Sequence, residues 1–269
     1  MALLTFEPKI HTAMWGAESW EISALAADPS RESATGTSLD AEFPGFPLLF
    51  KVIDAEKRLS VQVHPGDRAS RTTGGRSKSE MWCALSDGFV FAGLKPGVDI
   101  DGVRRAVETG GFEDILVRCE VRFGDVLYIP AGLIHSIGEG TKIYEVQQSS
   151  DTTFRLYDWG RVDASGSPRE LHAEKALLSL DCSLPPPRAV RALETPYFGF
   201  SQHRLEGGCE IVTGECEFAA VFAARGEAVA NGETVLREGS SALVTPCSSC
   251  ALSSGGSHLF ITRFRAPGR

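Results

Sequence analysis

Two polar segments of the sequence hold histidines at positions where they could bind a metal ion. The first, residues 59–67, reads LSVQVHPGD, and on a β-strand its Ser60, Gln62 and His64 alternate onto one face. If that face points into a barrel, the three side chains need partners, because burying unsatisfied polar groups is costly. A bound metal with a ligand would supply those partners. The alternative is an edge strand that faces water, since Gln and Ser are usually exposed.

The second segment, residues 124–135, reads GDVLYIPAGLIH, and its spacing resembles the second sequence motif of the cupin barrels. Pro130 ends the hydrogen bonding of one strand, Gly132 permits a tight reversal, and His135 begins the returning strand. A lone histidine is more often a satisfied core residue. Within this motif we expect His135 to be a metal ligand, because imidazole is the commonest protein ligand for metals.

A further ligand candidate is Glu80, which begins an apolar strand in residues 78–82 (KSEMW). A solvated charge is a poor explanation for this residue if its neighbours are buried. Together with Gln62, His64 and His135 it gives two imidazole nitrogens, one carboxylate oxygen and one amide oxygen. This mixed set suits Zn²⁺ with an open coordination position, as at catalytic sites, and Fe, Mn, Co or Ni would also fit.

Many short strands are predicted to position these residues. From residue 46 onward, short apolar runs alternate with turn residues, which favours a barrel or jelly roll over a parallel α/β sheet. Residues 99–118 instead have apolar positions at helical spacing with a Gly-Gly break, which predicts two short helices, and residues 168–180 predict another helix. The triple proline at 185–187 marks a boundary, and residues 188–269 indicate a second, smaller all-β unit.

The composition of the 269-residue chain excludes several classes of protein. With 42% hydrophobic and 23% charged residues it is an ordinary globular mixture, and no apolar run approaches the roughly 20 residues that span a bilayer. The net charge of −8 disfavours a nucleic-acid partner, whereas a few local cations could still hold an anionic small molecule. The N-terminus does not read as a signal peptide, so we expect the seven cysteines to be reduced thiols in a cytoplasmic protein.

Four cysteines in the last third of the chain leave two interpretations open. Cys247 and Cys250 form a CxxC, and Cys209 and Cys216 lie upstream, so four thiolates could build a structural zinc site. The upstream spacing is wider than such sites usually have, and the CxxC does not open a helix as a redox motif would. We therefore favour reduced structural thiols.

Taken together, the motifs resemble the type I mannose-6-phosphate isomerases (phosphomannose isomerases) in their short bacterial form. The matching stretches follow family order and spacing through residues 15–161. They are residues 15–23 (WGAESWEIS), 46–65 (FPLLFKVIDAEKRLSVQVHP), 78–82 (KSEMW), 124–138 (GDVLYIPAGLIHSIG) and 145–161 (EVQQSSDTTFRLYDWGR).

The resemblance implies a mainly β fold of two cupin (jelly-roll) barrels with a small helical insertion. It implies a catalytic zinc-binding cupin domain in residues 1–184, with the helical segment at about 99–118, and a cupin-like β domain in residues 188–269. The implied reaction interconverts mannose 6-phosphate and fructose 6-phosphate through a cis-enediolate, with one Zn²⁺ per chain. The implied partner is a small-molecule sugar phosphate, with no nucleic acid and no membrane, in a cytoplasmic monomer or homodimer.

The functional positions of the family map onto residues of three kinds in this chain. The zinc ligands correspond to Gln62, His64, Glu80 and His135. The substrate-binding positions correspond to Lys51, Ser60 and Arg161, which would hold the phosphate, and to Trp15. The catalytic candidates correspond to Arg155, Lys78, Glu145 and Asp151. Arg155 is our choice for stabilising the enediolate oxygens, whereas the sequence leaves the proton-transfer group open between the other three.

Two rival functions use the same barrel. A cupin oxygenase would bind Fe(II) through similar His and Glu ligands, but its substrate would need no phosphate-binding cations such as Lys51 and Arg161. A non-catalytic sugar-binding protein could keep the barrel after losing metal ligands or reactive groups. Here every expected metal and reactive position is filled, which favours an enzyme.

Overall fold

The computed structural model describes residues 2–163 and 165–266, and its contacts group into two units that alternate along the chain. The first unit contains residues 2–10, Ser19–Lys51 and residues 190–266, and the second contains His11–Glu18 and Val52–Ala189. The domain bounds 1–184 and 188–269 stay a prediction, because a grouping of contacts does not test which segments fold on their own.

Strands dominate the described residues, and the elements are numbered in chain order. They are β1 (Leu3–Thr5), β2 (Lys9–Ala13), β3 (Gly16–Ile22), α1 (Leu39–Glu42), β4 (Leu48–Ala55), β5 (Val61–Val63), α2 (Asp67–Thr73), β6 (Glu80–Ala84), β7 (Gly88–Leu94), α3 (Ile100–Thr109), α4 (Phe112–Ile115), β8 (Leu116–Val121), β9 (Val126–Ile129), β10 (His135–Ile137), β11 (Thr141–Gln148), β12 (Phe154–Tyr157), α5 (Ala173–Ser179), β13 (Leu193–Glu194), β14 (Phe198–Val212), β15 (Glu217–Arg225), β16 (Ala228–Ala230), β17 (Thr234–Leu236), β18 (Ser241–Val244) and β19 (Ser249–Arg265). The prediction of a mainly β chain with a small helical insertion is confirmed.

In the second unit, a five-stranded antiparallel sheet has the order β12-β5-β10-β7-β8. Because side chains alternate along a strand, one face of this sheet is apolar and the other carries polar residues. Val61 and Val63 point into a hydrophobic cluster that includes Phe112 and Ala176 from the helices. Gln62 lies between the two valines and therefore points to the opposite face, as the alternation in the sequence predicts.

A second hydrophobic cluster of this unit contains residues of β6, β9 and β10. Trp82, Ile129 and Ile137 are each 1% exposed and belong to it. Strands β11, β6 and β9 pair antiparallel in that order, and Glu80 lies opposite Gln147 in the register of β6 and β11. Because opposite residues of paired strands share a face, the polar side chains of β6 and β11 lie together.

The helical insertion of the second unit agrees with the predicted pair of short helices. The Asp99 side chain accepts a hydrogen bond from Gly102 N at 2.9 Å and caps α3, and Gly110 ends this helix at a φ of 76°. Helix α4 follows the Gly-Gly break, whereas residues 116–118 belong to β8. The helix predicted over residues 168–180 forms only as α5. It begins after His172, whose backbone N–H instead donates a hydrogen bond to the carbonyl oxygen of Arg155 at 2.7 Å.

The first unit contains an eight-stranded sheet. Six of its strands follow the order β1-β18-β15-β19-β14-β13, and the other two are β16, which pairs with β19, and β17, which pairs with β16. Its core includes phenylalanines that pack edge to face, such as Phe46 against Phe218 at 5.5 Å between ring centroids. Residues 190–266 are built of strands and turns, as predicted.

Throughout residues 2–163 and 165–266, no helix is both long and apolar enough to cross a membrane.

Candidate metal centre

Three side chains from different strands of the second unit converge at one point. Glu80 is the first residue of β6, His135 is the first residue of β10, and His64 directly follows β5. His64 Nε2 lies 3.2 Å from His135 Nε2 and 3.1 Å from Glu80 Oε1. His135 Nε2 lies 3.7 Å from Glu80 Oε2, and all three side chains are 1% exposed. One metal ion could contact all three, because their ligand atoms lie within 4.8 Å of one another.

Gln62 completes the predicted set of ligands. It lies directly opposite His135 in the register of β5 and β10, and its Nε2 is 3.2 Å from His135 Nε2. Ser60 Oγ donates a hydrogen bond to Gln62 Oε1 at 3.2 Å. The structure thus brings together the four residues that the sequence predicts as ligands.

Backbone carbonyls orient both imidazole rings. His64 Nδ1 lies 2.8 Å from the Thr152 carbonyl oxygen, and His135 Nδ1 lies 2.8 Å from the Leu133 carbonyl oxygen. A carbonyl can only accept, so Nδ1 carries the proton in each ring. Each Nε2 then presents a lone pair to the centre, which is the arrangement typical of metal-binding histidines.

The electrostatics keep these groups in the forms that bind metals. Burial lowers the pKa of both imidazoles, that of His135 to about 3. Burial alone would raise the pKa of Glu80, but the charge of Lys78 holds it well below its usual value. Neutral imidazoles and an ionised carboxylate are the ligating forms at neutral pH. Glu80 Oε2 is buried without a hydrogen-bond partner among the described residues, whereas Oε1 contacts Lys78 Nζ, so a cation fits beside Oε2.

Lys78, one of the predicted catalytic residues, lies against these ligands. Its Nζ is 2.5 Å from Glu80 Oε1 and 3.4 Å from His64 Nε2, and the residue is 4% exposed. A buried ammonium here is balanced by the carboxylate that it contacts.

The other two candidates for proton transfer differ in burial. Glu145 is 3% exposed on β11 and lies opposite Trp82 in the register with β6. Trp82 Nε1 donates to Glu145 Oε2 at 2.8 Å, and the indole packs edge-on to His135 with ring centroids 5.3 Å apart. Asp151 is exposed in the segment 149–153 between β11 and β12.

Arg155 lies on β12, directly opposite Gln62 of β5. It is half-buried, and its Nε is buried without a hydrogen-bond partner among the described residues. Burial lowers the pKa of Arg155, and the charge of Arg169 lowers it further. The register of the sheet therefore places Arg155 on β12, next to strand β5, which carries Gln62.

Two of the predicted phosphate-binding residues belong to the second unit. Ser60 is buried and, as described, bonds to Gln62. The Arg161 guanidinium donates to the Asp158 carboxylate and to the carbonyl oxygen of Arg58. Sequence reasoning did not single out Asp158, although its place between two arginines in RLYDWGR was an available signal.

The remaining two predicted substrate-binding residues belong to different units, Lys51 to the first and Trp15 to the second. Lys51 is buried in the part of β4 that belongs to the first unit, with Nζ 5.4 Å from the centroid of the Trp20 ring. Trp15 is 6% exposed and packs in the hydrophobic cluster that contains Trp82. Their contact with a substrate stays a prediction.

The sequence matches the family model "Phosphomannose isomerase type I, catalytic domain" over residues 8–87. It is 34% identical over 183 residues to mannose-6-phosphate isomerase ManA of Bacillus subtilis (strain 168), across 62% of this chain and 58% of that protein. The sequence match therefore spans less than two thirds of that relative's length.

The fold extends the likeness along the chain. A crystal structure of the mannose 6-phosphate isomerase from Bacillus subtilis superposes with a TM-score of 0.87 at 22% identity, covering 97% of this chain and 99% of that one. A crystal structure of mannose 6-phosphate isomerase bound with zinc and yttrium gives a TM-score of 0.73 at 15% identity, covering 99% and 100%. The resemblance predicted from the motifs is thus confirmed: residues 8–87 match the catalytic domain of the type I phosphomannose isomerases, and the chain has the fold of mannose 6-phosphate isomerases.

Proposed function

We propose that this protein interconverts mannose 6-phosphate and fructose 6-phosphate with one zinc ion per chain. The observation that carries the proposal is the buried group of His64, Glu80 and His135, with its ligand atoms within 4.8 Å of one another. The similar proteins reported above are named for this activity, and one of those structures contains zinc. Zinc suits the reaction because the isomerisation involves no change of metal oxidation state.

We assign the metal to Gln62, His64, Glu80 and His135. The two imidazoles would bind through Nε2 and Glu80 through its carboxylate. Gln62 would offer Oε1 once its amide is turned over, which exchanges the places of the oxygen and the nitrogen. When bound, the zinc acts as a Lewis acid that polarises a substrate oxygen next to the reacting carbons.

The proton transfer is assigned to the buried candidates, Glu145 and Lys78. A base removes the C2 proton of mannose 6-phosphate and delivers a proton to C1, while the proton of the O2 hydroxyl passes to O1, which yields the ketose. Burial of Glu145 at 3% and of Lys78 at 4% exposure supports these two over the exposed Asp151. A group shielded from water keeps its proton from exchanging with solvent and acts at close range.

Arg155 stabilises the enediolate that forms when the C2 proton leaves. Its register opposite Gln62 supports this role, because that places it on the strand next to a metal ligand. A guanidinium keeps its charge at any working pH and donates through a rigid fork, so it suits negative charge that develops only during the reaction. Lys51, Ser60 and Arg161 are assigned to the phosphate and Trp15 to the substrate, in a protein that we place in the cytoplasm.

Loss of one metal ligand tests the assignment. We expect the purified protein to retain about one zinc per chain after dialysis. Glu80→Gln keeps the size of the side chain but removes its charge, so it should lose both the zinc and the turnover of mannose 6-phosphate. The control is Glu120→Gln, which removes the same charge from a side chain on β8 that is 72% exposed.

The measurements are zinc content by mass spectrometry and formation of fructose 6-phosphate. Full turnover by the Glu80→Gln variant without bound metal would contradict the proposal. Equal turnover of unphosphorylated mannose would contradict the phosphate-binding part of it.

A further inference from the structure

Arginines gather around one buried carboxylate, that of Asp158, which directly follows β12. Asp158 is 5% exposed. Arg169 donates to it through Nε at 2.8 Å and through Nη2 at 2.6 Å, which is the two-pronged geometry of a strong guanidinium–carboxylate pair. Arg161 donates to the same carboxylate through Nη2. One carboxylate thus holds two guanidinium groups in place.

A third arginine, Arg155, is linked to this pair through its charge. It is the second residue of β12, and it interacts electrostatically with both Asp158 and Arg169. Glu18 and Glu170 also act on the charge of Arg155, but the Glu170 side chain is 84% exposed, so water screens it. Asp158 therefore contacts two of the three arginines and acts on the third, together with Glu18, through charge alone.

The charges of this cluster do not balance. The guanidinium groups of Arg161 and Arg169 both contact the single carboxylate of Asp158, whereas Arg155 acts on it only through its charge. The Arg161 side chain is only 14% exposed and that of Arg169 22%, so water screens this excess of positive charge only in part. A local concentration of cations in a chain of net charge −8 favours an anionic ligand at this place.

Two donors of the cluster lack an acceptor. The Nε atoms of Arg155 and Arg161 are buried and make no hydrogen bond within the described part of the chain. A buried N–H of a charged group that stays unpaired is costly, so a built site of this kind is completed by an acceptor. For Arg161, the oxygens of a phosphate are such acceptors, because a guanidinium can bind them through two parallel hydrogen bonds.

The loop that holds Arg161 is fixed to the segment before β5. Arg161 Nη1 donates to the carbonyl oxygen of Arg58, and Trp159 Nε1 donates to that of Leu59 at 2.6 Å. Trp159 also has a φ of 57°, a conformation that bulky residues adopt only where the surroundings hold them. Ser60 directly follows this anchored segment, so the loop is held beside a predicted phosphate-binding residue.

We propose that Arg169 and Asp158 position the guanidinium group of Arg161 as part of the subsite for the phosphate of the substrate. The identity of the anion rests on the proposed function. Arg169 binds both oxygens of the Asp158 carboxylate and so neutralises most of its negative charge. The positive charge of Arg161 is then available to attract the phosphate. Without Arg169, Asp158 and Arg161 form a neutral pair, and the affinity for an anion falls.

Replacement of Arg169 separates this role from a structural one. We expect Arg169→Gln to weaken the binding of inorganic phosphate about tenfold and to raise KM for mannose 6-phosphate by a similar factor, with kcat within about twofold. Arg169→Lys keeps the charge but lacks the planar guanidinium, so its affinity for phosphate should lie between those of the wild type and Arg169→Gln. The control is Arg104→Gln, which removes the same charge from a side chain on α3 that is 59% exposed, and which should change neither quantity.

Calorimetric titration with inorganic phosphate gives an affinity that does not depend on turnover. Unchanged phosphate affinity and KM in Arg169→Gln, with a lower Tm, would overturn the proposal, because Arg169 would then only support the fold. If Arg169→Gln does not fold, Arg169→Lys decides: weaker phosphate binding supports the subsite, and wild-type binding overturns it.

The same data distinguish failure of the subsite from failure of the proposed function. A protein that binds phosphate, loses that binding in Arg169→Gln and does not isomerise mannose 6-phosphate would contradict the activity and support the subsite. A protein that isomerises mannose 6-phosphate with unchanged KM in Arg169→Gln would contradict the subsite alone.

Discussion

Gly75 packs against the residue that orients His64, so we expect Gly75→Ala to weaken zinc binding. A Cβ at this position would lie 2.6 Å from Thr152 Cγ2 and 3.0 Å from Phe154 Cζ. The Thr152 carbonyl accepts from His64 Nδ1 at 2.8 Å, and Thr152 Oγ1 accepts from Arg76 N at 2.9 Å. Ordinary contacts begin at 3.4 Å, so the methyl group of the half-buried Thr152 must move by about 0.8 Å, and the hydrogen bond from Arg76 N to its Oγ1 opposes rotation of the side chain alone.

The expected effect follows from this displacement. Movement of the Thr152 backbone together with this methyl group would take its carbonyl oxygen, now 2.8 Å from His64 Nδ1, out of hydrogen-bond range. Loss of such an outer partner of a metal-binding histidine typically costs about 10- to 100-fold in metal affinity. The overpacking itself should lower the free energy of unfolding by about 1–3 kcal/mol. The zinc dissociation constant is measured by competition with a chelator, and stability is measured by urea unfolding of the same samples.

The neighbouring Gly74 provides a matched control. A Cβ at this position meets nothing within 4 Å, but its φ is +75°, so Gly74→Ala should lose about 1 kcal/mol of stability and keep wild-type zinc affinity. Wild-type zinc affinity in Gly75→Ala would refute the role of Thr152 in orienting His64. Equal loss of zinc affinity in both variants would also refute it, because affinity would then merely follow stability.

Two further predictions concern a buried acid and the enediolate. Burial raises the pKa of Glu21 from its usual 4.5 to about 7, so between these two values the unfolded state ionises while the folded state holds the proton, and stability falls as pH rises. Glu21→Gln should therefore gain about 3 kcal/mol relative to wild type between about pH 4 and pH 8 in urea unfolding, and a constant difference would contradict a protonated Glu21. Arg155→Ala should lower kcat about 100-fold or more. Arg155→Lys should also have a lower kcat, because an ammonium lacks the fixed planar donors of a guanidinium. Near-normal kcat with a lower Tm in Arg155→Ala would leave Arg155 only a structural role.

Alternation and turn residues explain why the ligand set could be predicted from the sequence. Gln62 and His64 share a face because side chains alternate along a strand, and Pro130 and Gly132 mark the reversal before His135. These signals are local, so one sequence carries them. The helix predicted from residue 168 begins only at Ala173, because apolar spacing alone does not reveal which residue starts a helix when no side chain caps its first turn.

The partners of these ligands could not be predicted in the same way. His64 is oriented by the backbone carbonyl of Thr152, 88 residues later in the chain, and a carbonyl leaves no mark on the sequence. Arg169 follows Asp158 by 11 residues, and neither residue belongs to a strand or helix whose periodicity could predict their contact. Contacts of this kind depend on the tertiary arrangement of loops rather than on local pattern.

Removal and restoration of zinc tests the assigned isomerase activity most directly. Protein stripped of metal by a chelator should form no fructose 6-phosphate from mannose 6-phosphate, and about one equivalent of zinc per chain should restore the activity. Full isomerisation by the metal-free protein, or none by the protein loaded with zinc, would contradict a zinc-dependent mannose 6-phosphate isomerase.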